Sequence, residues 1–212
     1  MFYEPLKRLM DIILAITLGI VFLPICILTA VAIKLESPGP ILADTPPRVG
    51  KNGKLFKLYK FRSMIVGAHD LLRKDSKFKK LYEEYKKSSY KLHEDPRWTR
   101  VGKFIRKHSI DEIPQLINVL RGEMSLVGPR PYYRDELGEQ LIKFSEKKNL
   151  LKDVLSIKPG ITGYWQVSGR SSVNFDKRIE MDAYYARKKS ILLDLRILLK
   201  TPFAMISGKN TA

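Results

Sequence analysis

Residues 12–33 carry no charged side chain. As a straight helix this run reaches roughly 33 Å, enough to cross the hydrocarbon core of a bilayer. A cleaved signal peptide is one alternative, and Ala30-Val31-Ala32 resembles a cleavage site, but the apolar part is too long for that purpose. Pro24, near its middle, lacks an N–H and clashes with the preceding turn. Lys7 and Arg8 precede the run, and Lys34, Arg48, Lys51 and Lys54 follow it. A single span would place one basic flank outside the cell. A helix that bends at Pro24 and returns keeps both flanks in the cytosol. Proline kinks also occur in true spans, so the residues leave both forms open, with the flanks favouring the re-entrant one.

The division expected is therefore a membrane-embedded segment, 1–36, and one cytosolic domain, 37–212. The net charge of +17 calls for anionic partners: nucleic acid, anionic lipid or phosphorylated small molecules. A merely solvated basic surface is the bland alternative. Cys26 is the only cysteine, which excludes an intrachain disulfide or a Cys-based metal cluster. The three histidines, His69, His93 and His108, have no metal-ligand spacing and read as surface residues. The chain has no Walker A motif, no dinucleotide fingerprint and no persuasive Ser/His/Asp order.

The pattern predicts an α+β fold, mostly helical, with a β-hairpin and interfacial amphipathic helices. Glu36-Ser-Pro-Gly-Pro40 reads as a turn. Ile41–Ala43 and Leu55–Phe61 read as strands, with Asn52-Gly53 as a tight turn between them. Residues 66–92 read as a charged surface helix or helical hairpin. Tyr132–Leu151 reads as one amphipathic helix and Ile161–Val167 as a strand. Asn174 is placed to cap a helix over Asp176–Lys188. A last helix, Ile191–Lys200, stops before Pro202 and either finishes the core or lies in the membrane interface.

Between Arg106 and Pro131 lies the stretch with chemical content. Asp111-Glu112 is an adjacent acidic pair flanked by Arg106, Lys107 and Arg121 and followed by a Gly-Pro-Arg-Pro turn. Two carboxylates under cations suit phosphate chemistry: one attacks, the other holds Mg²⁺ or moves a proton, and the arginines take up charge. Asp111 also fits as a plain helix N-cap with Pro114 at the third position, where no N–H is missed. Lys60, Arg130 and Arg170 complete the candidates. Arg130 stands between two prolines that restrict its backbone, and its fork of donors matches a phosphate.

These motifs resemble the bacterial sugar transferase family, the small monotopic phosphoglycosyl transferases. The resemblance covers almost the whole chain. It is carried by Lys7-Arg8 and Asp11 before the proline-broken helix, Tyr59-Lys-Phe-Arg-Ser-Met64, Asp95-Pro-Arg97, Ser109-Ile-Asp-Glu-Ile-Pro-Gln-Leu116 and Gly122-Glu-Met-Ser-Leu-Val-Gly-Pro-Arg-Pro131. Lys158-Pro-Gly-Ile-Thr-Gly163, Gly169-Arg170 and Asp182-Ala-Tyr-Tyr185 complete it. Leu23 departs from the serine common before the proline, which leaves Pro24 alone to break the helix.

The resemblance implies transfer of a sugar 1-phosphate from a UDP-sugar to polyprenyl phosphate, such as undecaprenyl phosphate, with release of UMP. This is the first membrane step in making an exopolysaccharide, capsule, O-antigen or glycoprotein glycan. Asp111 matches the family's nucleophile, which forms a phospho-aspartyl intermediate. Glu112 matches the partner carboxylate that binds Mg²⁺ with Asp111 and assists the second half-reaction. Lys60, Arg106 and Arg130 match phosphate-proximal positions, and Pro24 matches the break that makes the helix re-entrant on the cytoplasmic face of the cell membrane. Expected partners are the UDP-sugar, polyprenyl phosphate and the bilayer, with a homodimer left open and no nucleic acid. Two readings compete. One is a membrane-anchored basic module that binds nucleic acid or anionic lipid without catalysis. The other is a phosphohydrolase that uses Asp111 with water as acceptor. The sugar and the pathway are left open by the sequence.

Overall fold

The computed structural model describes residues 2–87, 92, 94–168 and 173–206. The elements in order are α1 (Tyr3–Glu36), β1 (Arg48–Val49), β2 (Leu55–Phe56), α2 (Ala68–Lys74), α3 (Lys79–Lys87), α4 (Arg100–Lys107) and α5 (Gln115–Leu120). They continue with β3 (Ser125–Val127), β4 (Tyr132–Tyr133), α6 (Arg134–Lys143), α7 (Lys148–Leu155), β5 (Gly160–Thr162), α8 (Tyr164–Ser168), α9 (Phe175–Lys188) and α10 (Ile191–Ile206). The expected mostly helical α+β class is found, with a long apolar helix at the N-terminal end.

The chain divides into two compact units. The first is Met1–Val21, Pro46–Leu58 and Gln115–Asn210. Its sheet is β2-β1-β4, antiparallel throughout, and β3 pairs with β5 in parallel. The turn between β1 and β2 is the expected Asn52-Gly53, but the strand before it is Arg48–Val49 rather than Ile41–Ala43. Asn52 (φ 56°) and Gly53 (φ 76°) both adopt the left-handed region that a tight hairpin turn requires. Val49, Tyr132, Leu137, Val154, Phe175, Ile179 and Ala183 form the core. Phe175 packs edge-on to Tyr132 at 5.7 Å and stacks on Phe144 at 6.0 Å.

Several expected elements are shorter or differently typed. The second strand ends at Phe56 rather than Phe61, because β1 is only two residues long; Pro46-Pro47 before it cannot donate to a ladder. Tyr132–Tyr133 is a strand rather than the start of a helix. Pro131 precedes it, and α6 begins only at Arg134, with Glu136 reaching back to the Tyr133 N–H. The single helix expected to Leu151 breaks at Phe144 (φ −123°, ψ 59°), whose ring turns onto Phe175. The strand at Ile161–Val167 stops at Thr162, and α8 follows at once. Asn174 occupies the expected N-cap position of α9 but makes no side-chain cap bond. The last helix runs through Pro202 to Ile206, so proline loses one hydrogen bond near the end rather than stopping the helix.

The second unit contains Phe22–Thr45 and Tyr59–Pro114. Its core is Ile33, Phe61 and Ile105, with Cys26, Ala30, Ile41, Leu42, Val101 and Ile110 packed around them. The expected strand Ile41–Ala43 reduces to one antiparallel bridge, Leu42 to Phe61. Of the expected 66–92 helix, α2 and α3 are the described parts, separated by Asp75 in extended conformation; residues 88–91 lie outside the described residues. Thr99 caps α4 by accepting the Gly102 N–H at 2.9 Å. Glu36, the last residue of α1, accepts the Val101 N–H at 3.0 Å, so two side chains satisfy the start of α4. Gly102 is obligatory, since a Cβ there would sit 1.9 Å from the Ser63 carbonyl oxygen.

α1 is one helix with Pro24 inside it, and it is long and apolar enough to cross a membrane. Its apolar side chains are largely bare: Ile13, Ile16, Ile20, Leu23, Ile27 and Leu28 are all exposed.

Candidate active site

α4 ends at Lys107, and the chain reverses through Ser109, which takes a left-handed conformation (φ 55°). A 3₁₀ turn, Ile110–Glu112, follows and carries the acidic pair. Asp111 is therefore not the N-cap of α5, which begins three residues beyond Glu112. The cap reading of the pair is overturned. The turn is pinned by its own Asp111 carbonyl, which accepts the Phe61 N–H at 3.0 Å. That bond fixes Lys60, the residue before Phe61, beside the pair.

The result is a compact charge cluster. The Lys60 ammonium lies 2.6 Å from Glu112 Oε1 and 3.8 Å from Asp111 Oδ2. Asp111 is 4% exposed and Glu112 is partly exposed. Burial pushes the Asp111 carboxyl above its ordinary value, Glu112 adds to this, and Lys60 and Arg106 oppose it. Arg106 sits on the last turn of α4 with its guanidinium 5.2 Å over the Trp98 ring. A buried carboxylate beside a lysine is a suitable nucleophile toward phosphorus, and its neighbour Glu112 shares the same lysine.

The pair also fits Mg²⁺ by its chemistry. Magnesium uses one or two protein carboxylates and completes its shell with water and substrate phosphate. Asp111 and Glu112 supply two adjacent carboxylates, and Glu112 is partly exposed, so solvent reaches the pair. Among the described residues no three His, Cys, Asp or Glu side chains converge into a metal cluster.

The structure thus brings together Asp111, Glu112, Lys60 and Arg106 in the second unit. Arg130 belongs to the first unit, at the turn between β3 and β4. Arg170 and His93 lie outside the described residues. His108 is exposed, with its ring against Phe104 at 4.5 Å, and His69 contacts Arg73 within α2, as surface residues do.

Two groupings were not foreseen from the sequence. Lys7 lies buried between Asp11 and Asp194, at 3.2 and 3.3 Å. Tyr132 donates its hydroxyl to the buried Asp182 at 3.1 Å. Each joins residues far apart in the chain; Lys7, Asp11 and Asp182 stood among the motif residues, but nothing in the sequence paired them with their distant partners.

The sequence profile of the bacterial sugar transferases matches residues 2–208. The chain is 42% identical to an uncharacterized sugar transferase of Haemophilus influenzae, over 92% of this chain and 40% of that protein. It is 41% identical to the undecaprenyl-phosphate galactose phosphotransferase of Salmonella typhimurium, over 92% of this chain and 39% of that protein. It is 39% identical to the exopolysaccharide production protein ExoY of Sinorhizobium fredii, over 92% of this chain and 83% of that protein. The chain spans about two fifths of the length of the first two. With 207 of its residues matched by the family profile, this chain belongs to the bacterial sugar transferase family.

Proposed function

We propose that the chain transfers a sugar 1-phosphate from a UDP-sugar to undecaprenyl phosphate in two displacements at one phosphorus. The observation that carries this reading is the buried Asp111 carboxylate, with Lys60 shared between it and Glu112. The names of the relatives agree: one is an undecaprenyl-phosphate galactose phosphotransferase, another a UDP-glucose:undecaprenyl-phosphate glucose-1-phosphate transferase of Escherichia coli.

In the first displacement an Asp111 oxygen attacks the sugar-bearing phosphorus. The bond from that phosphorus to the bridging oxygen breaks, and UMP leaves with the electron pair. In the second, an oxygen of the lipid phosphate attacks the same phosphorus and the Asp111 carboxylate departs, giving polyprenyl-diphosphate-sugar. Glu112 assists the lipid phosphate in this step, and Lys60 holds both carboxylates in register. Arg106, Arg130 and Arg170 bind phosphate oxygens. Mg²⁺ held by Glu112 and Asp111 would supply charge neutralisation for the diphosphate. A covalent intermediate lets one carboxylate serve an aqueous and a lipid substrate in turn.

The bare α1 supports membrane attachment, and we propose that it re-enters the cytosol at Pro24. α10 supports an interfacial position. Asp194 and Ile197 are buried while Leu192, Leu195, Leu199 and Phe203 form an exposed stripe along one face. We propose that both helices lie on the cytoplasmic side of the membrane, where they would bring the site to the lipid phosphate.

The test is UMP release by purified protein in nanodiscs with Mg²⁺, undecaprenyl phosphate and a panel of UDP-sugars. Release with one donor, dependent on the lipid and lost in Asp111→Asn, is expected. Free sugar phosphate formed without lipid would replace the transferase with a hydrolase. No turnover with any donor, together with salt-sensitive nucleic-acid binding indifferent to Asp111→Asn, would favour a binding module.

A further inference from the structure

Trp98 stands just before α4, whose N-cap is Thr99, and Arg106 is on the last turn of the same helix. The chain around Trp98 is fixed by main-chain bonds. The Ile65 N–H donates to the Arg97 carbonyl at 2.9 Å and the Thr99 N–H to the Ser63 carbonyl at 3.3 Å, so Met64 and Trp98 form an antiparallel bridge. The Trp98 N–H donates to the Asp95 carbonyl at 3.1 Å. Next to it Arg97 and Asp95 form a buried pair, and Arg97 Nη1 donates to the Ala68 carbonyl at 2.8 Å. α4 rests on the same backbone, because Gly102 packs directly on Ser63. The ring and the helix that carries Arg106 therefore share one fixed support.

The Arg106 guanidinium lies over the Trp98 ring, 5.2 Å from its centre. Among the described residues it makes no hydrogen bond or ion pair, while the carboxylates of Asp111 and Glu112 are paired with Lys60. An aromatic face attracts a cation without using up its N–H donors. The indole N–H of Trp98 is itself buried and has no partner among the described residues, which costs stability. Phenylalanine carries no such donor. The indole is therefore not the ring that stability alone favours, whereas it is the strongest aromatic face for a cation.

We propose that Trp98 is a positioning residue for Arg106: its indole face holds the guanidinium at the end of α4 that leads into the acidic turn, with the N–H fork open to a phosphate of the UDP-sugar. The inference rests on the reading of Arg106 as a phosphate ligand. The turn itself starts from Arg106, whose carbonyl accepts the Ser109 N–H at 3.0 Å, so the held side chain and the Asp111-Glu112 pair belong to one continuous piece of backbone. A long arginine side chain without a support must be ordered when the phosphate arrives, and that ordering weakens binding. Held on the ring, its donors are in place before the charge they receive.

The experiment is calorimetric binding of UDP, the part common to every UDP-sugar, to the full chain in nanodiscs with Mg²⁺. Wild type is compared with Trp98→Leu, Trp98→Phe and Arg106→Gln, and both Trp98 changes are repeated in Arg106→Gln. Trp98→Leu is expected to weaken binding roughly three- to tenfold, the cost of ordering one long side chain. Trp98→Phe is expected to weaken it about twofold, because its face is the poorer one for a cation. Neither change is expected to matter once Arg106 is glutamine. A ring that serves only the fold would cost the same in both backgrounds. That equality, or wild-type affinity in Trp98→Leu, overturns the role of Trp98. If Trp98→Leu fails to fold, Trp98→Phe runs the same cycle, and an unchanged affinity there overturns it. Wild-type affinity in Arg106→Gln removes Arg106 from the phosphate site and the inference with it. No binding of UDP by the wild type would sink the UDP-sugar reading itself.

Discussion

Lys60 sits with its ammonium 2.6 Å from the Glu112 carboxylate, and the backbone N–H of the next residue, Phe61, is bonded to the Asp111 carbonyl. A cation is thereby locked to the acidic pair by main-chain geometry rather than by side-chain chance. Lys60 is also the largest influence holding the Asp111 carboxyl down against burial. Lys60→Met should let that carboxyl rise further. Because a nucleophile in the proposed role of Asp111 must be ionised, the rising limb of the pH–rate profile for UMP release should move to higher pH by roughly one unit or more, the usual effect of an adjacent opposite charge. Lys60→Arg should retain the wild-type limb. An unmoved limb in Lys60→Met would show that Lys60 does not set the charge of the nucleophile.

Asp111 itself should cost the fold stability. Burial raises its carboxyl above the ordinary value of 3.8, so the native state binds the proton more tightly than the unfolded chain does. The stabilisation from that bound proton is complete below the ordinary value and is lost as the pH rises through the folded one. Asparagine carries no charge at any pH and escapes this loss. Asp111→Asn should therefore raise Tm in neutral detergent solution, and the gain should shrink toward zero as the pH is lowered below about 4. A loss of stability at pH 7 would mean that Lys60 more than compensates the buried charge.

The sequence carried the hairpin, the carboxylate pair and the long apolar helix because each is a local signal. Asn52-Gly53 can make its turn without help, and Asp111-Glu112 is contiguous. It failed where distant partners decide. Tyr132–Tyr133 looks helical by pattern, yet Arg48 and Val49, more than 80 residues earlier, recruit it as a strand. Nothing local in the sequence says that the Asp182 carboxylate meets the Tyr132 hydroxyl, 50 residues earlier in the chain. Periodicity reports which face of an element is apolar; it does not report which polar groups meet inside.

The Lys7 network is the strongest case of such a meeting and gives a stability prediction. One ammonium serves two carboxylates, Asp11 and Asp194, and all three residues are at most 6% exposed. Asp11 also accepts the Leu126 N–H at 3.1 Å, and Asp194 accepts the Tyr185 and Tyr3 hydroxyls at 2.6 and 3.0 Å. Lys7→Met leaves two buried carboxylates facing each other without a cation, and should cost about 3–5 kcal/mol in denaturant or thermal unfolding in detergent. Tyr3→Phe removes one hydrogen bond at a half-buried site and should cost about 1 kcal/mol. Adding Asp194→Asn to Lys7→Met should recover part of the loss, since it removes one of the stranded charges. Equal effects of Lys7→Met and Tyr3→Phe would mean that the charges of the network are already solvated.

The proposed re-entry of α1 at Pro24 can be tested directly. The residue lies inside a helix whose uncharged run is about as long as the hydrocarbon core is thick, and both ends of that run are basic. A span would carry Lys7 and Arg8 across the membrane, while re-entry keeps them with Lys34 on the cytosolic side. Phe2→Cys and Ser37→Cys, each in a Cys26→Ser background, report the two flanks. In intact cells neither should react with a membrane-impermeant maleimide, and both should react once the inner membrane is opened. Pro24→Leu removes the missing hydrogen bond and the ring clash that favour the bend, worth about 3 kcal/mol in a helix interior, and should make the Phe2→Cys site reactive from outside in a measurable fraction of molecules. Reaction of Phe2→Cys from outside with Pro24 intact would establish a spanning helix. The active-site chemistry at Asp111 would then have to stand on a protein anchored through the bilayer rather than within one leaflet.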